Sequence, residues 1–133
     1  MRTLSLFLFV FVFSLNAQVP GQQGNRMLLP NGWWLSPAGE QIPLGDFPAN
    51  AALSEDGSFL AILHSGQSKA QVMLVDLKKR KVTQSIRLKD AWQGIAFHGN
   101  TLFVSGGYQN CVYTFRLEQG TLTGKDSIQL IDP

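Results

Sequence analysis

A single cysteine, Cys111, stands in the 133 residues. That excludes an intrachain disulfide framework and any zinc site built from several cysteines. Charge is scarce too. Charged side chains make up 15% of the chain, with eleven Lys and Arg against nine Asp and Glu. So even a balance speaks against a nucleic-acid binder, and the 44% hydrophobic share excludes a charged disordered tail or a coiled coil. The only two histidines, His64 and His98, fall in non-equivalent loops, and no HxH or HExxH spacing exists. GxSxG, P-loop and GxGxxG motifs are likewise missing. The sequence therefore implies no cofactor, no metal and no catalytic constellation of its own.

What is present begins with an apolar run. Met1-Arg2-Thr3 supplies one positive charge, and Leu4 to Leu15 is almost continuously apolar, with four of the nine Phe between residues 7 and 13. About 12 residues are too few for a membrane span, which needs roughly 20. Ala17 then gives a small residue before the polar stretch Gln18-Val19-Pro20-Gly21-Gln22-Gln23-Gly24-Asn25. This is the layout of a secretory signal peptide over residues 1–17, cleaved after Ala17. An uncleaved anchor is the competing reading. The expected mature chain is exported, periplasmic or extracellular, and does not span a membrane. Residues 18–30 read as a polar linker.

The rest of the chain resembles itself at an interval of about 42 residues. Ile42-Pro43-Leu44-Gly45-Asp46 is echoed by Ile86-Arg87-Leu88-Lys89-Asp90, and Val75-Asp76-Leu77 by Phe115-Arg116-Leu117. Val82 through Leu88 is echoed by Leu122 through Leu130. Each unit, at about 45–88 and 89–130, reads as four short strands divided by turn residues. In the first unit these are Ala51–Ser54, Phe59–Leu63, Val72–Leu77 and Val82–Leu88, with Glu55-Asp56-Gly57 and Lys78–Lys81 as turns. The two middle strands are apolar at nearly every position, as strands covered on both faces are, whereas the last alternates. That combination describes an all-β chain of four-stranded antiparallel β-propeller blades, about two full blades with partial ones around them, over residues 31–133. A further hairpin is expected over 32–44, turning at Ser36-Pro37-Ala38-Gly39.

Ser54-Glu55-Asp56-Gly57 followed by Leu60-Ala61-Ile62-Leu63-His64 resembles the repeat of YVTN-type bacterial β-propellers. Asp56, Gly57, Leu60, Val75 and Asp76 match that pattern, while Ala61 and His64 depart from its Tyr and Asn. The second unit keeps Leu102-Phe103-Val104-Ser105 but lacks the Asp-Gly turn. Leu29-Pro30-Asn31-Gly32-Trp33, Ser36-Pro37-Ala38-Gly39 and Ile42–Asp46 resemble the start of exported propellers that precede an alkaline-phosphatase-like phosphoesterase domain. The resemblance covers about residues 28–130 and implies an exported propeller that binds or scaffolds. It carries over no catalytic residue, because a phosphoesterase or other hydrolase domain would begin beyond Pro133.

Propellers close with about four to eight blades. Two blades leave two broad apolar faces bare, so the expected partners are the remaining blades of a longer chain or, failing that, further copies of this one. A small β domain that oligomerises through open edges is the weaker alternative. Strand order puts the loops 45–50 and 89–94 on one face with the loops 64–71 and 106–110. A ligand or protein partner at that face would meet Asn50, His64, Trp92 and Tyr108; turn chemistry and packing between blades are the plain alternative for all four. Asp46 and Asp90 occupy matching repeat positions, which points to a shared structural job. Lys78-Lys79-Arg80-Lys81, the one charge run, falls on the opposite face and reads as solvated. Cys111 reads as a small buried hydrophobe.

Overall fold

Strands that are apolar on both faces fold only where something covers each face. Phe59–Leu63 and Val72–Val75 set that requirement, and the molecule meets it on one side by laying a second sheet against the first. The computed structural model describes residues 19–67 and 69–130, so the expected signal peptide lies outside the described residues. The described residues fall into two units, divided between Gln41 and Ile42.

The first unit holds a three-stranded antiparallel sheet of β1 (Gly21–Gln23), β2 (Arg26–Leu28) and β3 (Trp34–Leu35). Residues 18–30, expected as a linker, thus contain two of its strands. The hairpin expected at Ser36–Gly39 does not form: Trp34 and Leu35 pair backwards with Leu28 and Met27 instead. Local hydrogen bonds explain the choice. Leu29 N–H donates to Trp33 O at 2.8 Å, Gly32 N–H to Leu29 O at 2.9 Å and Trp33 N–H to Asn31 Oδ1 at 3.1 Å, closing a turn before β3 rather than after it.

The second unit is two four-stranded antiparallel meanders. Blade 1 is β4 (Pro48–Leu53), β5 (Phe59–His64), β6 (Gln71–Asp76) and β7 (Lys81–Arg87), in that order across the sheet. Blade 2 is β8 (Ile95–His98), β9 (Thr101–Ser105), β10 (Cys111–Glu118) and β11 (Thr121–Gln129). Strand edges lie within a few residues of the sequence reading. β4 starts earlier, at Pro48, where the missing N–H is tolerated at a strand's first residue. Ladder irregularities fall between Leu74 and Val75 and between Thr114 and Arg116, matching places in the repeat. No helix among the described residues is long and apolar enough to cross a membrane.

The blades pack face to face. Leu63, Val72 and Leu74 from blade 1 and Leu102, Val104 and Phe115 from blade 2 are fully buried in one cluster. β4 lies beside β8, and β7 beside β11. Polar links fix the register around this core. Gln84 spans the outer edge: its Nε2 donates to Leu122 O at 2.9 Å and its Oε1 accepts from Leu122 N–H at 2.8 Å. One side chain thereby stands in for a strand partner. At the turn end, Gly99 N–H donates to Glu55 Oε1 at 2.6 Å.

Turns are held by carboxylates. Asp56 Oδ1 accepts from Ser54 Oγ at 2.6 Å and from Ser58 N–H at 3.1 Å, and Ser54 Oγ accepts from Phe59 N–H at 2.9 Å. Asp76 Oδ1 accepts from Lys79 N–H at 2.8 Å, and Lys79 Nζ lies 3.0 Å from Asp76 Oδ2. The Ser54 hydroxyl first, then the Ser58 amide, holds Asp56 below the usual value of 3.8; the Lys79 amide and ammonium do the same for Asp76.

Two outcomes follow. Gln84→Ala leaves the buried Leu122 amide and carbonyl without partners, so urea unfolding should show a loss of about 1–3 kcal/mol. Gln84→Glu should also lose stability, since it keeps the acceptor but not the donor; wild-type midpoints for both would remove Gln84 from the interface account. For the turns, folded carboxylate values below the unfolded ones mean that their stabilisation is complete above the unfolded value and disappears as pH falls through the lower folded one. Acid unfolding followed by circular dichroism from about pH 6 to pH 2 should therefore lose part of its pH dependence in an Asp56→Asn, Asp76→Asn double variant.

Candidate ligand-binding site

Antiparallel order brings four loops to one end of the two blades: the entry segments before β4 and β8, and the loops from β5 to β6 and from β9 to β10. In each blade an aspartate of the entry segment sits against a glycine of the other loop. Asp90 Oδ2 accepts from Tyr108 N–H at 2.7 Å, and Oδ1 accepts from Ala91 N–H at 2.9 Å. Gly107 has φ +55°, and a methyl group there would fall 2.5 Å from Asp90 Oδ2. Blade 1 repeats the arrangement, a methyl on Gly66 falling 2.7 Å from Asp46 Oδ2. Asp90 thus staples loop to loop, and Asp46 lies against Gly66 at the matching place in blade 1.

The staple in blade 2 presents two aromatic rings. Trp92 and Tyr108 meet edge to face, centroids 5.6 Å apart and planes at 61°, yet remain 54% and 81% exposed. Across the blade junction stands Phe47, 64% exposed and held at φ +44°, a left-handed conformation that costs a non-glycine residue about 1–2 kcal/mol. Its carbonyl accepts from Ser65 N–H at 3.4 Å. Phe47, Ser65, Asp90, Trp92, Gln93 and Tyr108 line a groove of about 410 Å³. An adjoining hollow of about 540 Å³ shares Phe47 and Ser65 and reaches Asp46 and Gln67.

The four residues singled out from sequence have three different placements. Trp92 and Tyr108 are in the groove. Asn50 lies beside it and positions its wall, with Nδ2 donating to Gln93 O at 2.8 Å and Oδ1 accepting from Ala51 N–H at 2.8 Å. His64 is 0% exposed. It closes β5 on the same side as Leu60 and Ile62, so its ring lies in that sheet face beneath the entry segment rather than open to the groove. His64 Nδ1 donates to Asp46 O at 2.9 Å, which leaves Nε2 without a partner among the described groups. A methyl on Gly45 would fall 3.4 Å from that Nδ1 and 2.8 Å from Gln71 Nε2, so the entry segment passes directly over the histidine. Phe47 and Gln93 were not singled out; an aromatic beside a proline in an entry loop was the available signal.

Chemically, the groove offers three π faces, one carboxylate, an amide and hydroxyls. Among the described residues, neither hollow is lined by a Lys, Arg or His. Among the described residues no three His, Cys, Asp or Glu side chains converge as a metal site would require. Beneath the groove, Cys111 is buried at the start of β10 and Tyr113 packs beside it; burial chiefly, and then the neighbouring thiol, push the Tyr113 hydroxyl above its usual value. Of the Lys78–Lys81 run, Lys78, Lys79 and Arg80 lie in the β6–β7 turn and Lys81 opens β7, at the other end of the strands.

No protein-family model and no curated protein matches the chain. Among solved structures, the crystal structure of Citrobacter koseri AztD is similar, with a TM-score of 0.56 at 13% identity, over 89% of this chain and 37% of that one. The likeness is one of fold, a β-rich propeller-like architecture. The chain spans 37% of the length of that neighbour.

The staple makes Gly107→Ala a sharp test. Backbone strain alone should cost about 1–2 kcal/mol in a urea melt, and the displaced Asp90 should release Tyr108 from Trp92. Loss of the nuclear Overhauser contacts between those two rings is the expected sign; unchanged contacts would show that Gly107 does not hold the groove.

Proposed function

We propose that this chain is part of an exported, YVTN-like β-propeller and serves as a binding module without catalysis of its own, taking its ligand at the entry-loop face. One observation supports this above the rest. Three large aromatics, Phe47, Trp92 and Tyr108, are exposed around one groove, and the loops bearing them are fixed by a hydrogen bond that Asp90 accepts and one that Asn50 donates. Exposed aromatics cost solubility, and a rigid cluster of them is what small-ligand and peptide sites use.

The same reading extends to the bare sheet face. In the repeat alignment Phe103, Val112 and Ile128 of blade 2 correspond to Ala61, Val72 and Ile86, which blade 1 packs against its neighbour. We propose that further blades of a longer chain cover this face, with copies of the same chain as the alternative partner.

A panel holding one sugar, one nucleotide, one amine and one carboxylic acid, titrated into the ¹⁵N-labelled full chain, tests the binding role. At least one member should shift Phe47, Trp92, Gln93 and Tyr108 together, and Trp92→Ala should abolish the response. Shifts confined to the Lys78–Lys81 turn or to the first unit, or no shift at all, would overturn it.

A further inference from the structure

We infer that the groove recognises an organic ammonium group, held over the faces of Trp92, Tyr108 and Phe47 beside the Asp90 carboxylate. This rests on reading the entry-loop face as a binding site and names the ligand chemistry.

Charge makes the first selection. Both adjoining hollows contain an aspartate, Asp46 in one and Asp90 in the other, and among the described residues no Lys, Arg or His lines either. An anionic ligand such as a phosphate or carboxylate would leave its charge unpaired there, while a cation finds both a negative side chain and π faces. Asp90 supplies the charge from a fixed position. Each of its oxygens accepts one backbone N–H, from Tyr108 and from Ala91, and a carboxylate oxygen keeps a second lone pair for a ligand.

Shape makes the second selection. A neutral sugar ring stacks best on one flat aromatic plane. Here the planes of Trp92 and Tyr108 stand at 61°, forming a corner, with Phe47 also on the groove wall. A compact, roughly spherical cation touches more than one ring at such a corner, and the negative quadrupole of each face attracts it, indole most strongly.

The test uses the full chain and two probes of one shape. Choline carries the ammonium; 3,3-dimethylbutan-1-ol replaces its nitrogen by carbon and carries no charge. Choline should bind with shifts at Phe47, Trp92 and Tyr108, at least tenfold more tightly than the alcohol. Trp92→Ala should weaken choline about tenfold, and Trp92→Phe less. Because Trp92 is exposed, these variants should keep the wild-type melting curve, which separates lost binding from lost folding. Glucose and inorganic phosphate complete the set. If glucose or phosphate shifts the same three residues and choline does not, or if the alcohol matches choline, the ammonium inference falls and the binding-site reading stands. If no probe shifts them, or every shift lies elsewhere, both fall.

Discussion

A sheet whose middle strands are apolar on both faces cannot stand alone in water, and this molecule is organised around that constraint. β5 and β6 carry Ala61, Leu63, Val72 and Leu74 on one face and Leu60, Ile62 and Val75 on the other. Covering the first face requires a second sheet of nearly the same dimensions, and blade 2 supplies one, with Leu102, Val104 and Phe115 fully buried against it. Once the sheets are stacked, the chain has no freedom about where its loops emerge. Each meander returns its connections to the same two ends, so the entry segments and the β5–β6 and β9–β10 loops must share one end. Packing, which recognises nothing, thereby creates the place where recognition can be built.

What the two blades do with that place differs, and the difference is local. Both set an entry aspartate against a loop glycine. In blade 1 the next residue is Phe47, forced to φ +44°. In blade 2 the sequence runs Ala91 and then Trp92, and the loop opposite offers Tyr108. An identical scaffold thus holds unlike side chains around one groove. The left-handed Phe47 matters here, since a strained non-glycine residue persists only where its surroundings over-determine it. The surroundings are identifiable: Gly66 admits the backbone closely, a methyl on it falling 2.8 Å from Phe47 Cβ.

The blades were largely legible in sequence because two independent signals agree in them. Period-two or unbroken apolar runs mark the strands, and Asp56-Gly57 and Lys78–Lys81 mark turns between them. The first unit was not legible, because Gln22, Gln23 and Arg26 have no apolar pattern, and β1 to β3 hold only two or three residues each. At the site, Trp92 and Tyr108 were visible as large aromatics in loops whose face follows from strand order. His64 fell the other way on a matter of parity: whether the last residue of a strand points into a sheet face or out to a loop depends on where the ladder ends. Gln84 was invisible for a related reason. In an alternating strand it reads as one more polar position, and only the distance to Leu122 shows that its amide completes the next blade's backbone pairing.

Fold likeness and site chemistry therefore carry different kinds of information about this chain. At 13% identity to Citrobacter koseri AztD, the shared architecture transmits strand order and stacking, which depend on apolar patterning that many sequences satisfy. It transmits no side chain in the groove. The reading of the groove has to come from its own residues, and there the sign of the charge separates the candidate ligands better than size does. A hollow of about 510 Å³ in the first unit, lined by Gln22, Asn25, Arg26, Met27, Pro37 and Gln41, is larger than the aromatic groove. Among the described residues its lining has no aromatic ring and no carboxylate, and the one charged side chain is positive. Volume alone would favour it over the groove, and a hollow of about 620 Å³ lined by Asn100, Leu117, Glu118, Gln119, Thr121 and Thr123 over both. Aromatic faces held at a fixed angle beside a fixed carboxylate favour the junction of the blades, because a preorganised site loses less entropy on binding than an equally large but featureless one.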